Sequence, residues 1–241
     1  MSFVLASGPV IPNFGNGSTC ETQNGWFCPE WVREHWGDTL QPALIQHIGL
    51  SLIAVGIGFA IAFALALAGF RYRLLDPPIG LAADFMYTIP SLALFQLLVP
   101  LTGINVTTVE IALVSYTLLI LYRNIIEGLR GVPAEIVEVA RGSGFTRRQT
   151  FLRVELPLAL PAILAGLRIA VVSTISIATV AAFVVPKGLG SPIFVALEQE
   201  VFKTEIFAAG GLAVALALVA DALLVLVQRV LTPWARVERH A

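Results

Sequence analysis

Few groups in this chain are suited to bond chemistry, and those present are badly placed for catalysis. The only lysines are Lys187 and Lys203, and neither stands in a Gly-x-x-x-x-Gly-Lys-Ser/Thr run, so no phosphate-cradling P-loop is present. His35, His47 and His240 are scattered, and no nucleophile triad or metal-ligand spacing gathers around them. The expectation is a chain that is no enzyme, holds no metal and binds no cofactor of its own. Cys20 and Cys28 are the only cysteines. Outside a cell they would close a small disulfide loop; the other reading is two unpaired thiols.

Three ionisable residues stand out for a different reason. Asp84, Arg168 and Asp221 fall inside apolar stretches, where charges are expensive and turn toward a bundle interior in pairs. Counting about 1.5 Å per residue from the basic ends of those stretches puts each roughly 10–15 Å deep. The prediction is that Arg168 pairs with Asp84, Asp221 or both. Thr88, Pro90 and Ser91 form a second constellation. Pro90 in mid-span frees a backbone carbonyl, and the neighbouring hydroxyls can supply hydrogen bonds, so a static kink and a gating hinge both fit. Phe85, Tyr87, Phe95, Tyr116 and Tyr122 are candidates to hold a cationic solute by cation–π attraction, with plain packing as the alternative.

The elements that must position these groups are membrane spans. The chain is 57% hydrophobic and only 13% charged, with a mean hydropathy of +0.83, against roughly 25% charge in a soluble domain. A net charge of −1 argues against a nucleic-acid partner. Five apolar runs approach the ~20 residues that cross a bilayer, at about 44–70, 79–101, 109–126, 158–185 and 206–230. An all-α integral membrane fold with five transmembrane helices follows. Eleven of the fifteen Lys and Arg then fall on one side. The positive-inside rule places that side in the cytoplasm, with the N-terminus outside and the C-terminus inside. Residues 1–43 become an exported tail, which does not resemble a cleaved signal peptide. Trp26, Trp31 and Trp36 in that tail suit the headgroup region. Residues 44–230 form the membrane domain, and 231–241 a cytoplasmic tail.

The longest inside loop, about 128–157, has a pattern of its own. Pro133 suits the first position of a helix, and Ala134 to Arg141 are mostly good helix formers. Ile136, Val137 and Ala140 give that helix an apolar stripe. Gly142 and Gly144 interrupt it, and Thr146-Arg147-Arg148-Gln149 has the form of a capping box that starts another helix. Leu156-Pro157 is expected to end that second helix at the membrane surface. So short an amphipathic helix either docks in a partner's groove or rests on lipid headgroups.

The same loop carries a resemblance. Glu138-Val139-Ala140, three residues, Gly144, nine residues, Val154, one residue and Leu156-Pro157 are similar to the "EAA" loop of bacterial ATP-binding-cassette (ABC) importer permeases. That pattern runs Glu-Ala-Ala, three residues, Gly, nine residues, Ile, one residue, Leu-Pro. Spacing agrees throughout, while Val139 and Val154 replace Ala and Ile. Thr88-Ile89-Pro90-Ser91-Leu92-Ala93-Leu94 resembles a segment of the permeases for glycine betaine, choline, carnitine and proline. So do Glu155-Leu156-Pro157-Leu158-Ala159-Leu160-Pro161, Gly166-Leu167-Arg168 and Gly188-Leu189-Gly190. Pro186-Lys187 stand where that family usually has small residues. The likeness covers about residues 44–230 and leaves the N-terminal tail unaccounted for.

The resemblance implies a type I ABC importer subunit with a MetI-like permease core, multi-pass in a bacterial inner membrane. It implies cytoplasmic ATPase subunits that use ATP, a second permease (identical or related), and an extracellular substrate-binding protein. Glu138, Val139, Ala140 and Gly144 would form the coupling loop, with Arg147 and Arg148 as auxiliary contacts. The cargo it implies is an osmoprotectant. Two rival readings are an importer for another small solute such as an amino acid, and a non-transporting membrane scaffold.

Overall fold

The computed structural model describes residues 24–198 and 201–234, and all regular elements among them are helical. Helix α1 (Pro29–Glu34) runs through a π-helical turn, Trp36–Leu40, into α2 (Gln41–Arg71). Then come α3 (Asp76–Thr88), α4 (Ser91–Thr102) and α5 (Val106–Arg130). Helix α6 (Ala134–Gly142) and α7 (Arg147–Thr150) make the central loop. A second π turn, Phe151–Glu155, joins α7 to α8 (Leu156–Ala181), and α9 (Gly190–Glu198) and α10 (Lys203–Leu231) follow.

Among the described residues, four continuous helices are long and apolar enough to cross a membrane: residues 36–71, 106–130, 147–181 and 203–231. The count is five if α3 and α4 are one broken span, for they meet at 99°. The second apolar run is therefore not the single kinked helix that its sequence predicts. Pro90 sits outside both helices, at φ −55° and ψ 137°, as the residue before α4. Ile89, just before it, is held extended at ψ 126°, as the residue preceding a proline prefers.

Helix directions can be read from cross-helix contacts. A Cβ built on Gly58 meets the Thr117 side chain, and one on Gly69 meets the Tyr122 hydroxyl at 2.8 Å. Contacts thus advance together along α2 and α5, so these helices run parallel. Gly166 meets Asn124, and Gly128 meets Ala162, so α8 runs antiparallel to α5. Arg168 contacts Asp221 and Gln228 contacts the Pro161 carbonyl, so α10 reverses again. The small residues at these crossings let backbones approach closely, which is how helices pack where no water drives them together.

Helix α5 is the axis of the bundle. Asn105 caps it, its side chain accepting the Thr108 amide at 3.2 Å. One end buries Val109, Ala112, Leu113 and Tyr116 against Leu50, Phe95 and Ala178. The other buries Leu121, Tyr122, Ile125 and Ile126 against Ala62, Ala66, Ala159 and Ile163. The Trp31 ring is turned into the protein rather than outward. It is buried with Cys28, Leu40, Ala208 and Ala209, stacked on His35 and edge-on to Phe202. Trp26 stays exposed, beside Phe207 and Lys203. Cys20, the expected partner of Cys28, lies outside the described residues, as does His240.

Candidate functional site

The central loop folds as two helices around a glycine turn. Pro133 occupies the position just before Ala134, one residue earlier than its sequence suggests, and α6 runs to Gly142. Its end is closed by a paired hydrogen bond: Phe145 N–H donates to the Ala140 carbonyl at 3.1 Å and Gly144 N–H to the Arg141 carbonyl at 3.0 Å. That is a Schellman motif, which puts its C′ residue in the left-handed region. Gly144 takes it, at φ +88°. The glycine of the spacing pattern therefore has a backbone reason, since any Cβ there is strained.

The next helix starts with both halves of a capping box. The Thr146 hydroxyl accepts the Gln149 amide at 3.3 Å, and the Gln149 side chain accepts the Thr146 amide at 2.8 Å. Leu156-Pro157 does not end this helix, in contrast to the expectation. Residues 147–181 form one continuous helix, with Pro157 in the first turn of α8. The π turn over Phe151–Glu155 widens the backbone just where the Pro157 ring would otherwise press on the carbonyl one turn back. The α6–α7 loop thereby runs without a break into a helix long and apolar enough to cross a membrane.

The face that α6 presents also differs from the predicted stripe. Ala140 turns inward, 9% exposed, and α6 packs on α7 and the π turn. Val139 stands out at 70% and Ile136 at 43%, one turn apart on the outer side. Glu138, Arg147 and Arg148 are exposed beside them. An exposed apolar knob ringed by charges suits insertion into a partner's groove.

Among the described residues, three ion pairs tie helices together. Arg168 donates from Nε and Nη2 to the two carboxylate oxygens of Asp221, at 2.8 and 3.1 Å. Asp84 is not part of that pair. It accepts from Arg123 Nη2 at 2.7 Å. Arg123, not singled out as a partner by sequence, lies inside α5, within reach of α3. Asp76, at the head of α3, accepts from the Tyr122 hydroxyl at 2.5 Å and from Arg130 Nη1 at 2.8 Å. Asp76 and Arg130 were not singled out by sequence; an acidic residue in the first turn before two prolines is the signal that marks Asp76.

At the α3–α4 break, Thr88 bonds back to the Phe85 carbonyl at 2.7 Å. Ser91 instead opens α4. The Ile89 carbonyl is taken by the hydroxyl of Tyr116 from α5. Tyr116, Tyr122 and Phe95 are thus buried packing or hydrogen-bonding residues, while Phe85 and Tyr87 remain on an open face. The buried His47 was missed as a structural residue. Its Nε2 donates to the Ile175 carbonyl at 3.0 Å and its Nδ1 accepts the Leu189 amide at 3.2 Å. Both partners are backbone groups of fixed polarity, which sets His47 as the neutral Nε2–H tautomer. No group of three or more His, Cys, Asp or Glu side chains suited to a metal occurs among the described residues.

Comparison with known proteins agrees with this geometry. Residues 56–237 match the family described as "Binding-protein-dependent transport system inner membrane component". The choline transport system permease protein OpuBB of Bacillus subtilis is 36% identical over 189 residues, 78% of this chain and 86% of the relative. The osmoprotectant import permease protein OsmW of Salmonella typhimurium is 38% identical over 194 residues, 78% of this chain and 89% of the relative. An ergothioneine transport permease/ergothioneine binding protein, EgtU of Helicobacter pylori, is 41% identical over 133 residues, 55% of this chain but 24% of that longer protein. Among solved structures, the methionine ABC transporter MetNI in an inward-facing form superposes with a TM-score of 0.70 at 18% identity. That match covers 83% of this chain and 98% of the other, and it shows the fold alone.

Proposed function

The chain belongs to the binding-protein-dependent inner-membrane permeases of ABC importers, multi-pass subunits coupled to an ATPase, and from that premise we propose that its cargo is a trimethylammonium osmoprotectant. The relatives named for choline, glycine betaine, carnitine and ergothioneine support this reading. All four of those solutes carry a trimethylammonium group, which aromatic faces attract through cation–π interaction. Phe85 and Tyr87 are the aromatic residues left open beside the α3–α4 break. They are the first places to look for contact with cargo.

The working arrangement is a pair of permeases, two ATPase subunits against the α6 loops, and an external binding protein that selects the solute. Being the permease subunit, the chain leaves ATP to its partner. Parallel α2 and α5 require the α3–α4 pair to carry the chain back across the bilayer. That supports five crossings, with the N-terminus outside and the α6 loop in the cytoplasm on the arginine-rich side. ATP binding closes the ATPase dimer and drives the two α6 loops together. Because α7, the π turn and α8 are one helix, that displacement passes directly into the membrane span. Glu138, Val139, Ala140 and Gly144 carry the coupling, with Arg147 and Arg148 beside them.

The experiment is uptake of radiolabelled glycine betaine and choline after osmotic upshift, by cells carrying the permease with its partner subunits. Wild type is compared with Gly144→Asp. Uptake by wild type that disappears in the variant, with the protein still in the membrane, supports cargo and coupling together. Absence of uptake in wild type rejects the trimethylammonium cargo in favour of another small solute. Unchanged uptake in Gly144→Asp rejects the coupling assignment.

A further inference from the structure

Beside the α6–α7 loop lies an open cleft of about 740 Å³. Arg71, Arg73, Arg130, Arg141, Arg147 and Arg148 line it, against one carboxylate, Glu155. Arg130 is engaged with Asp76. The other five have no carboxylate partner among the described residues; Arg71 lies instead over the Tyr72 ring, 5.1 Å from its centre. These arginines come from the end of α2, the turn after it, the end of α6 and the start of α7. The fold gathers them from separate places. So many guanidinium groups around one space repel each other unless an anion joins them, and planar guanidinium forks match phosphate oxygens in pairs.

The remaining wall of the cleft is apolar, made by Leu67, Phe70 and Phe151. A charged rim over an apolar wall, at the level where the spans leave the bilayer, fits a molecule with a phosphate at one end and hydrocarbon at the other. Basic clefts between span ends are known sites for anionic headgroups. We propose that this cleft binds the phosphate diester of an anionic phospholipid, with the first part of its acyl chains against Leu67, Phe70 and Phe151. A soluble phosphate offers the same anion, but nothing that uses the apolar wall. The proposal rests on the functional reading above only for which leaflet supplies the lipid.

The test uses the permease–ATPase complex, equilibrated with phosphatidylcholine vesicles with and without phosphatidylglycerol. Lipid retained after detergent exchange is counted by native mass spectrometry. Wild type is expected to retain phosphatidylglycerol in preference to phosphatidylcholine. Arg71→Gln/Arg73→Gln is expected to lower that retention about 30-fold, at about fivefold per arginine near a membrane surface. Neither residue belongs to the coupling loop, so co-purification of the ATPase reports separately on the functional reading. Arg141→Gln probes the α6 contribution to the cleft should the double variant fail to accumulate. Equal retention of both lipids, or unchanged retention in the variants, overturns the proposal. Displacement of the lipid by inorganic phosphate overturns it in favour of a soluble anion. Lipid bound by the free permease but not by the complex overturns it in favour of acidic residues of the ATPase.

Discussion

Arg168 and Asp221 face each other across α8 and α10 with both carboxylate oxygens engaged. Helix α10 needs such a clasp. Its first half buries Ala208, Ala209 and Ala213, whereas Leu218, Leu223 and Leu226 further along are exposed. Gln228, donating to the Pro161 carbonyl at 3.3 Å, is another polar tie of α10 to α8. Removing one member of an intramembrane pair leaves a lone charge. Asp221→Asn and Arg168→Gln are each expected to lower the unfolding temperature in nanodiscs, and the swap Arg168→Asp/Asp221→Arg to recover most of the loss. A swap no better than the single variants would show that position, not charge pairing, matters there.

The Gly58–Thr117 contact makes a second prediction. An added methyl at Gly58 falls on the Thr117 side chain, with the Thr117 Cβ 2.9 Å away. Overpacking of this kind costs about 1–3 kcal/mol. Gly58→Ala should destabilise by that amount in thermal unfolding. Thr117→Ala in the same chain should return only part of it, because the Cβ remains. Full stability in Gly58→Ala would mean that α2 and α5 are farther apart than described.

How much of this was legible beforehand differs by the kind of information. The Gly144 spacing and the Thr146–Gln149 box were legible because caps and turns are set by a few adjacent residues with strong local chemistry. That Arg168, Asp84 and Asp221 lie within helices was legible too, since each falls inside a long apolar run. Their partners were not. Choosing between Asp84 and Asp221 requires the azimuth of each helix. A helix that is apolar almost all round, like α8 or α10, carries no amphipathic stripe from which azimuth can be read. Arg123 escaped for a related reason. A charged residue near the end of an apolar run reads as the edge of the span, yet Asp84 opposite pairs with it inside α5. Pro157 misled because its local effect is to break a helix, and the π turn before it is not visible in residue types.

His47 links three segments, so its removal should be felt at a distance. The Leu189 amide, bonded only to His47 Nδ1, would be left buried and unpaired in His47→Leu. An orphaned buried donor costs about 1–3 kcal/mol. Hydrogen exchange at Leu189 and in the turn around it is expected to accelerate, while exchange in α5 stays as in wild type. Unchanged exchange at Leu189 would remove His47 from its assigned position as the lock of that turn.

Coupling and folding can be separated within the α6 loop, because two of its residues act through different physics. Gly144 is required by the backbone: its Cβ would meet nothing within 4 Å, but φ +88° strains any other side chain. Gly144→Ala should therefore cost about 1–2 kcal/mol locally and loosen the Schellman turn, which protease cleavage at residues 142–146 would report. Val139 is the reverse case. It is exposed, touches little of its own chain, and surface changes of this kind stay within about 0.5 kcal/mol. Val139→Asp should leave protease resistance and unfolding temperature as in wild type, yet abolish recovery of the ATPase subunit when the permease is purified. If both variants lose the ATPase but only Gly144→Ala is cut, the loop works as a rigid knob whose shape glycine holds and whose tip valine supplies. If Val139→Asp keeps its partner, the contact lies on another face of α6, and Ile136 with Glu138 becomes the pair to change next.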